Sequence, residues 1–398
     1  MIERLAGKVP PARSMYLRTI TNLEGAPLDQ GLVVFFPGDQ SVTGEPLAEL
    51  HLHGGRATVD VVLETLGAMP GLRQARPGEF TWRAFRNGRL NLIEVESLSD
   101  LLRAETEAQR RAALAEQGLG REVEHWRQEV LMLSALVEAA LDQSDEDDVP
   151  ADRERIDQLA GRLTDDIGAL LARPGAERLF DGIRVVFAGP PNAGKSTLIN
   201  ALAQREVAIV SPVPGTTRDV IEAPVKLNGI AFVLADTAGL RADSDDAIER
   251  EGISRAERRL AEADLIVWMD EAKDPPTLDE HRLVRVFPRA DAPDRRDMRS
   301  QLLRVSAVTG EGVAELTAQL TARARAMLPR EGEVALTRRQ RSHLTRCCDA
   351  LRNFSSEPDE LIAAEHLRQA RRVIDELTGR AGTEDMLDAL FGTFCVGK

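Results

Sequence analysis

Aromatic side chains are scarce in this sequence: 4% of 398 residues, with one tyrosine and three tryptophans. Its cores are therefore expected to be built from Leu, Val, Ala and Ile, within a hydrophobic content of 43%. Cysteine is scarcer still, with only Cys347, Cys348 and Cys395. Adjacent cysteines rarely bridge one another and the third has no mate, so a disulfide framework is excluded and a reducing, cytoplasmic setting is expected. No apolar run approaches the roughly 18 residues of a membrane helix, and no signal-peptide pattern opens the chain, so no membrane partner is expected. Positive charge is outweighed, with 51 basic against 65 acidic residues and a net charge of −14. That excludes a surface coated for nucleic acid while leaving room for a local basic patch. A prenylation box is missing too, because the terminal Phe394-Cys-Val-Gly-Lys398 places Gly and Lys where an aliphatic residue and a small terminal one are needed.

A chain of this length exceeds what one core usually serves, so two or three domains are expected. Residues 1 to about 87 mix β-like runs (31–36 and 50–53) with turns such as Pro37-Gly38-Asp39 and a helical stretch at about 58–67, the pattern of a small α+β domain. From about 90 to 141 Gly and Pro are rare, and Leu98, Leu101, Leu102, then Leu131, Leu133, Leu136 and Val137 recur at helical spacing. The acidic run Asp145–Asp148 reads as a solvated loop, and a further helix ends near Leu171, before Pro174-Gly175. At Ile183 the text changes to strand–loop–helix alternation, with strands at 183–188, 231–235, 264–269, 283–287 and 302–305 and a hairpin turn at Asn228-Gly229. A helix at about 313–328 stops at Pro329, and 338–394 is helical again. The expected architecture is multidomain: a small α+β domain (1–87), then a helical domain in two parts (88–181 and 330–398) with an α/β domain (182–329) inserted between them.

The α/β segment carries a phosphate loop. Gly189-Pro-Pro-Asn-Ala-Gly194-Lys195-Ser196 follows a strand and opens a helix, the context that gives G-x-x-x-x-G-K-[ST] its meaning. Its glycines let backbone N–H groups wrap a β-phosphate at a helix N-terminus. Lys195 is placed for the β- and γ-phosphates, and Ser196 offers a hydroxyl to Mg²⁺. Asn192, Ala193, Gly194, Lys195, Ser196 and Thr197 are thus the first nucleotide-binding candidates. Asp236-Thr237-Ala238-Gly239 after the strand 231–235 fits the D-x-x-G of a GTPase, with Asp236 towards Mg²⁺ and the Gly239 N–H towards the γ-phosphate. Pro214-Gly215-Thr216-Thr217-Arg218-Asp219 fits a first switch whose Thr217 closes on Mg²⁺. Ser306-Ala307 fits the loop that contacts guanine. These four motifs in order resemble the translation-factor-like GTPases, beside Era and Der. One element departs from that pattern: the base reader N-K-x-D is Pro288-Arg289-Ala290-Asp291, which keeps Asp291 for the guanine N–H groups, loses the Asn side chain, and offers Arg289 to stack on the ring.

Blocks outside the α/β segment point to one family. Ser41-Val-Thr-Gly-Glu45 leading to His53-Gly54-Gly55, Arg76-Pro-Gly-Glu-Phe80 through Arg86-Asn-Gly-Arg-Leu90, and the closing Phe394-Cys-Val-Gly-Lys398 resemble the tRNA modification GTPase family MnmE, also called TrmE. The resemblance covers nearly the whole chain. It implies a GTPase domain inserted into a helical domain, behind an N-terminal folate-binding and dimerising domain. It also implies GTP, Mg²⁺, K⁺ and a formyl- or methylene-tetrahydrofolate as cofactors. The implied partners are a second copy of the chain, tRNA and the FAD protein MnmG (GidA), with which members install a carboxymethylaminomethyl-type group on the wobble uridine.

Residue by residue, the resemblance implies K⁺ at Asn192, Ser211, Val213 and Thr216, in a loop that also contains Pro212, Pro214 and Gly215. The ion stands where other GTPases place an arginine finger, so Arg218 is left structural. Glu249 matches the glutamate that orients the attacking water. Glu49 and Arg89 match the folate pocket, where a carboxylate suits the N–H edge of a pterin and Arg suits a glutamate tail or formyl oxygen. Cys395 matches the family's C-x-G-K terminus, a place in the modification chemistry, with Lys398 beside it to lower the thiol pKa. Family members carry a further N-terminal strand with an arginine of the folate site, and this chain opens at Met1-Ile-Glu-Arg, past that strand. The alternative, a ribosome-assembly GTPase like Era or Der, calls for a KH module or a second GTPase domain, and 330–398 reads as helices instead.

Overall fold

The computed structural model describes residues 1–142, 153–205, 222–236, 258–269, 279–381, 391 and 394. They divide into two compact units, Met1–Ser99 with Ile374–Lys398, and Asp100–Val373.

In the first unit, helix α1 (Ile2–Ala6) precedes a three-stranded antiparallel sheet of β1 (Tyr16–Thr21), β2 (Pro27–Phe36) and β3 (Leu47–His51), in that order. Ile20 packs with Leu5, Val62 and Met69 beneath the sheet, where Val62 belongs to helix α2 (Arg56–Gly67). The run expected at 50–53 leaves the ladder after His51 for a physical reason: the His53 N–H donates to the Asp29 carboxylate (2.8 Å) rather than to a strand carbonyl. Strand β1 and helix α1 are additions to the sequence reading, as Tyr16 and Leu17 are both exposed and give β1 no alternation at its start. Helices α3 (Glu79–Arg86) and α4 (Leu92–Arg103) follow. Phe391 and Phe394 pack with Trp82, Phe85 and Val95, and a Cβ at Gly78 (φ 69°) would lie 2.2 Å from the Phe391 carbonyl oxygen.

The second unit opens with α5 (Glu107–Asp142), a new helix rather than a continuation of α4. Gln109 Oε1 accepts the N–H groups of Glu105 and Thr106 while Thr106 Oγ1 accepts that of Gln109, a reciprocal cap that starts the helix there. Helices α6 (Arg153–Leu171) and α7 (Glu177–Phe180) lead into a six-stranded sheet. Its order is β5 (Glu222–Leu227), β6 (Ile230–Asp236), β4 (Ile183–Ala188), β7 (Leu265–Trp268), β8 (Leu283–Pro288) and β9 (Leu303–Val305). Only the β5–β6 pair is antiparallel, joined by Asn228 (φ 47°) and Gly229 (φ 82°), the two left-handed residues a tight hairpin turn requires. The central strands are largely apolar, with Arg184 the one exposed residue of β4 and Asp236 closing β6, as befits strands covered on both faces. Helices α8 (Lys195–Arg205) and α9 (Val313–Met327) pack Leu198, Leu202, Leu316 and Leu320 against Phe187 and Phe232.

Helices α10 (Arg338–Ser356) and α11 (Glu360–Thr378) are separate, because Pro358 interrupts the helical run and the Asp359 carboxylate accepts the N–H groups of Leu361 and Ile362. Thr337 and Gln340 form a capping box that starts α10. The buried Gln340 also donates to buried Glu116 of α5, and Arg341 donates to the carbonyls of Leu171 and Arg173 at the end of α6. Helices on both sides of the sheet segment in sequence therefore bond to one another.

Candidate nucleotide-binding site

Strand β4 stands at the point of the sheet where chain order turns both ways, β6 on one side and β7 on the other, and ligands of open α/β sheets gather at the carboxyl ends of such strands. Here β4 gives way to Gly189, where only glycine fits: a Cβ would lie 2.9 Å from the main-chain oxygen of Met269, the residue after β7. The loop turns at Asn192 (φ 63°) and Gly194 (φ 91°), then enters α8 at Lys195, with the Leu198 N–H donating to the Gly194 oxygen. Lys195 is buried, and its ammonium donates to the carbonyls of Gly189 and Pro190, both at 2.9 Å.

Ser196, one residue into α8, donates its hydroxyl to Asp236 Oδ2 at 2.6 Å. Asp236 ends β6 and is buried; its carbonyl accepts from Arg259, 23 residues later. Two hard oxygen donors thus meet beside the phosphate loop, a pairing that suits a small divalent cation such as Mg²⁺.

The far wall is built at the ends of β8 and β9. Asp291 and Ser306 were singled out separately in the sequence, and the structure joins them: the Ser306 hydroxyl, wholly buried, donates to Asp291 Oδ1 at 2.6 Å. Ser306 Oγ in turn accepts the N–H groups of Val308 and Thr309. The Ser306 bond, ahead of all other influences, holds the Asp291 carboxyl below its ordinary pKa. Arg289 adopts a left-handed φ of 54°, and its guanidinium reaches the Asn192 carbonyl at 3.4 Å. Its Cγ lies 3.5 Å from where a Gly194 Cβ would be. Arg295 and Arg304, both over the Phe287 ring, hold this loop by donating to the carbonyls of Pro288 and Ala290.

Between the walls lies a cleft of about 770 Å³ lined by residues 191–198, Asp236, Met269, Pro288, Arg289, residues 291–293, Val305, Ala307 and Val308. It brings Asn192, Ala193, Gly194, Lys195, Ser196, Thr197, Asp236, Asp291 and Ala307 together, with Ser306 just behind. Its apolar lining, Met269, Ala292, Pro293, Val305 and Val308, escaped the motif reading; the rule that ligands sit beyond strand carboxyl ends would have found Met269 and Val305. Ser211, Pro212, Val213, Pro214, Gly215, Thr216, Thr217, Thr237, Ala238, Gly239, Glu249, Cys395 and Lys398 lie outside the described residues.

Glu49 and Arg89 of the first unit are not bonded to one another. Glu49 on β3 pairs with His51 at 3.1 Å, and Arg89 donates to the carbonyls of Gly38 (3.2 Å) and Asp39 (2.7 Å). The blocks around them are stitched together: Asn87 donates to the Thr43 carbonyl and to Glu45, and Arg83 bridges Glu45 and Glu79.

A mostly parallel sheet whose central strand runs into a glycine loop, a buried Lys and a Ser paired with the neighbouring strand's Asp defines a P-loop nucleotide-binding protein. Two family models match the sequence, "GTP-binding protein TrmE N-terminus" over residues 1–89 and "MnmE helical domain" over residues 92–395. Among curated relatives, the tRNA modification GTPase MnmE of Erythrobacter litoralis (strain HTCC2594) is 52% identical over 399 residues, covering 100% of this chain and 93% of that one. The protein of the same name from Rhizorhabdus wittichii is 52% identical over 393 residues, 98% and 88% of the two chains. The G domain of the T. maritima FeoB iron transporter, 24% identical over 36% of this chain and 98% of that one, gives a TM-score of 0.26, too low to bear on the fold. The chain belongs to the MnmE (TrmE) family of tRNA modification GTPases.

Proposed function

We propose that this chain is a K⁺-dependent GTP hydrolase that works with the FAD protein MnmG to add a carboxymethylaminomethyl-type group to C5 of the wobble uridine of certain tRNAs. The observation that carries the reading is one cleft with a cation-type pair at one end, Ser196 and Asp236, and a fixed carboxylate at the other, Asp291 on Ser306. Backbone N–H groups of the loop 190–195 cradle the phosphates, and Lys195 turns from the loop carbonyls to the β- and γ-oxygens. Mg²⁺, when bound, would neutralise phosphate charge, and Ser196 and Thr217 would hold it, with Asp236 acting through a water. Asp291 accepts the guanine N–H groups, a role that its bond from Ser306 supports by keeping it ionised and aimed. Arg289 covers the base in place of the usual Lys, its stem beside Gly194 and its guanidinium towards Asn192.

K⁺ is assigned to Asn192, Ser211, Val213 and Thr216 as two G domains of a homodimer meet, and Glu249 to the attacking water. Glu49 and Arg89 are assigned to a tetrahydrofolate derivative, and Cys395 to the modification chemistry. The GTPase domain, 182–329, is taken as an insertion between 88–181 and 330–398, a division that the bonds of α10 to α5 and α6 support. A cytoplasmic setting accords with these substrates; among the described residues no helix is long and apolar enough to cross a membrane. An Era- or Der-like role is not favoured, since family models and relatives alike carry the MnmE or TrmE name.

The test is GTP hydrolysis in KCl against NaCl, with the wild type and Asn192→Ala. Stimulation by K⁺ that is lost in the variant is expected. Equal rates in the two salts would sink the cation-switched reading, and a preference for ATP would sink the GTPase reading itself.

A further inference from the structure

Asp236 is held from the phosphate loop, from the sheet, and from a residue that belongs to neither. Its Oδ2 accepts the Ser196 hydroxyl at 2.6 Å. Its main chain stands where the sheet gives out: among the described residues the register of β6 with β4 ends at the Phe187–Asp236 pair, and that with β5 at Ala235. A buried carbonyl at the end of a ladder needs a donor from elsewhere. The Arg259 guanidinium supplies it, donating to the Asp236 oxygen at 3.2 Å.

Arg259 reaches across from a fixed base. Residues 258–262 are helical, and Arg282 donates to the carbonyls of Leu260 (3.0 Å), Ala261 (3.3 Å) and Ala263 at the end of that turn. Asp264 then accepts the Arg178 guanidinium at 2.7 Å and the Arg184 N–H of β4 at 3.0 Å, so the helix end is bound to the central strand. The neighbouring Arg258 pairs with Glu262 on its own helix and is 81% exposed, as an ordinary surface arginine is. Arg259 is half-buried and leaves its helix for the one residue of β6 that carries a cation-type oxygen. It does not line the cleft, so whatever it does there passes through Asp236.

We propose that Arg259 is a positioning residue of the Mg²⁺ site, holding the main chain of Asp236 so that its carboxylate stays beside Ser196. This rests on the reading above that Ser196 and Asp236 face Mg²⁺. Groups that hold a metal site's oxygen donors in place set the affinity for the metal without touching it. Loss of Arg259 therefore weakens the cation, and leaves both the grip on the nucleotide and the turnover at saturating cation in place.

The test uses the full chain, a non-hydrolysable GTP analogue and Mn²⁺, a paramagnetic probe that takes the same oxygen ligands as Mg²⁺. In Arg259→Met the affinity of the analogue complex for Mn²⁺, read by electron paramagnetic resonance, is expected to fall about tenfold. The Mg²⁺ concentration for half-maximal GTP hydrolysis should rise by a similar factor. The rate at saturating Mg²⁺ and the metal-free affinity for the analogue should both stay within about twofold of the wild type. Arg259→Lys, which can still donate to one carbonyl, is expected to restore most of the loss. Unchanged Mn²⁺ affinity in Arg259→Met would overturn the proposal, and so would a Lys variant no better than the Met one. An equal loss of metal-free analogue binding would make Arg259 a general support of the fold and overturn it as well. A wild-type complex that holds Mn²⁺ no better than the free analogue does would sink the cation reading of Ser196 and Asp236 and this inference with it, a result seen before any variant is made.

Discussion

The two candidate sites are made of different material. In residues 100–373 the nucleotide cleft is built from main chain at strand ends, with Gly189 against the Met269 carbonyl and the loop 189–194 entering α8. Few side chains are needed, and those that act lie within a residue or two of the turns that place them. In the N-terminal unit the polar cluster is built from side chains spanning long sequence separations: Asn87 to Thr43, Arg83 to Glu45, His53 to Asp29. The lesson concerns signal. A site made of backbone conformation leaves a contiguous motif, because each residue type is dictated by the turn; a site made of reaching side chains leaves single residues whose partners are invisible until the chain is folded.

Lys195→Ala should break the comparison hardest on the cleft side. The ammonium is the one charged donor of the loop, and its loss should slow GTP hydrolysis about 10²–10³-fold, the scale of removing a preorganised donor at developing charge. Phosphate release would be measured beside 5-formyltetrahydrofolate binding. If the two sites are separately built, folate binding stays unchanged; a parallel loss would show that they are one device.

Gly78→Ala is the matching strike at the N-terminal unit. Gly78 holds φ 69°, and a Cβ there would sit 2.2 Å from a main-chain oxygen, so relief requires backbone movement around Phe391. A loss of about 2–3 kcal/mol is expected from strain and displaced packing, read as a lower thermal midpoint. Unchanged stability would mean that residues 391 and 394 do not dock where Trp82 and Phe85 receive them.

Legibility followed the same division. Strand β4 matched its expected bounds, and β6, β7, β8 and β9 fell within a residue or two, since buried parallel strands are mostly apolar text, broken here only by single charged residues such as Arg184 and Arg285. The phosphate loop was readable for the reason given above. The join between Asp291 and Ser306 was not, because neither residue type announces a partner 15 positions away. Strand β1 escaped because it starts with exposed residues, and the separation of α4 from α5 escaped because the signal was a capping pair, Thr106 and Gln109, inside a helical run. Glu79 was quoted only as part of a family block, although it is the hub of that block.

That hub gives a prediction against pH. Arg73 grips Glu79 with both terminal nitrogens (2.7 and 2.8 Å), the Arg76 N–H adds a third bond and Arg83 a fourth, and together, Arg73 foremost, they hold the carboxyl at about 2 against an ordinary 4.5. A folded-state pKa below the unfolded one means that the stabilisation is complete above about 4.5 and is lost as pH falls towards 2. With Arg73 largely exposed, the contribution is discounted to about 1–2 kcal/mol. Glu79→Gln should remove that part of the acid sensitivity, and an unaltered stability–pH curve between pH 5 and 2 would refute the assignment.

Ser306→Ala carries the smallest effect and the sharpest reading of the comparison. The Ser306 hydroxyl touches no proposed ligand; it fixes Asp291 and is itself fixed by the N–H groups of Val308 and Thr309. Removing it frees the carboxylate to rotate and lets its pKa rise towards the ordinary range, since the Ser306 bond is the largest cause of the depression. Affinity for GTP should fall by about 1 kcal/mol, roughly fivefold, the net worth of one hydrogen bond, with little change in the turnover of bound nucleotide. Discrimination between GTP and ATP should narrow, because an unaimed Asp291 accepts guanine N–H groups less well while any stacking on Arg289 is indifferent to the base. Binding titrations with the two nucleotides decide the matter. A variant that loses turnover but keeps affinity would place Ser306 with the phosphate chemistry rather than with the base, and would undo the division of the cleft into a cation end and a base end.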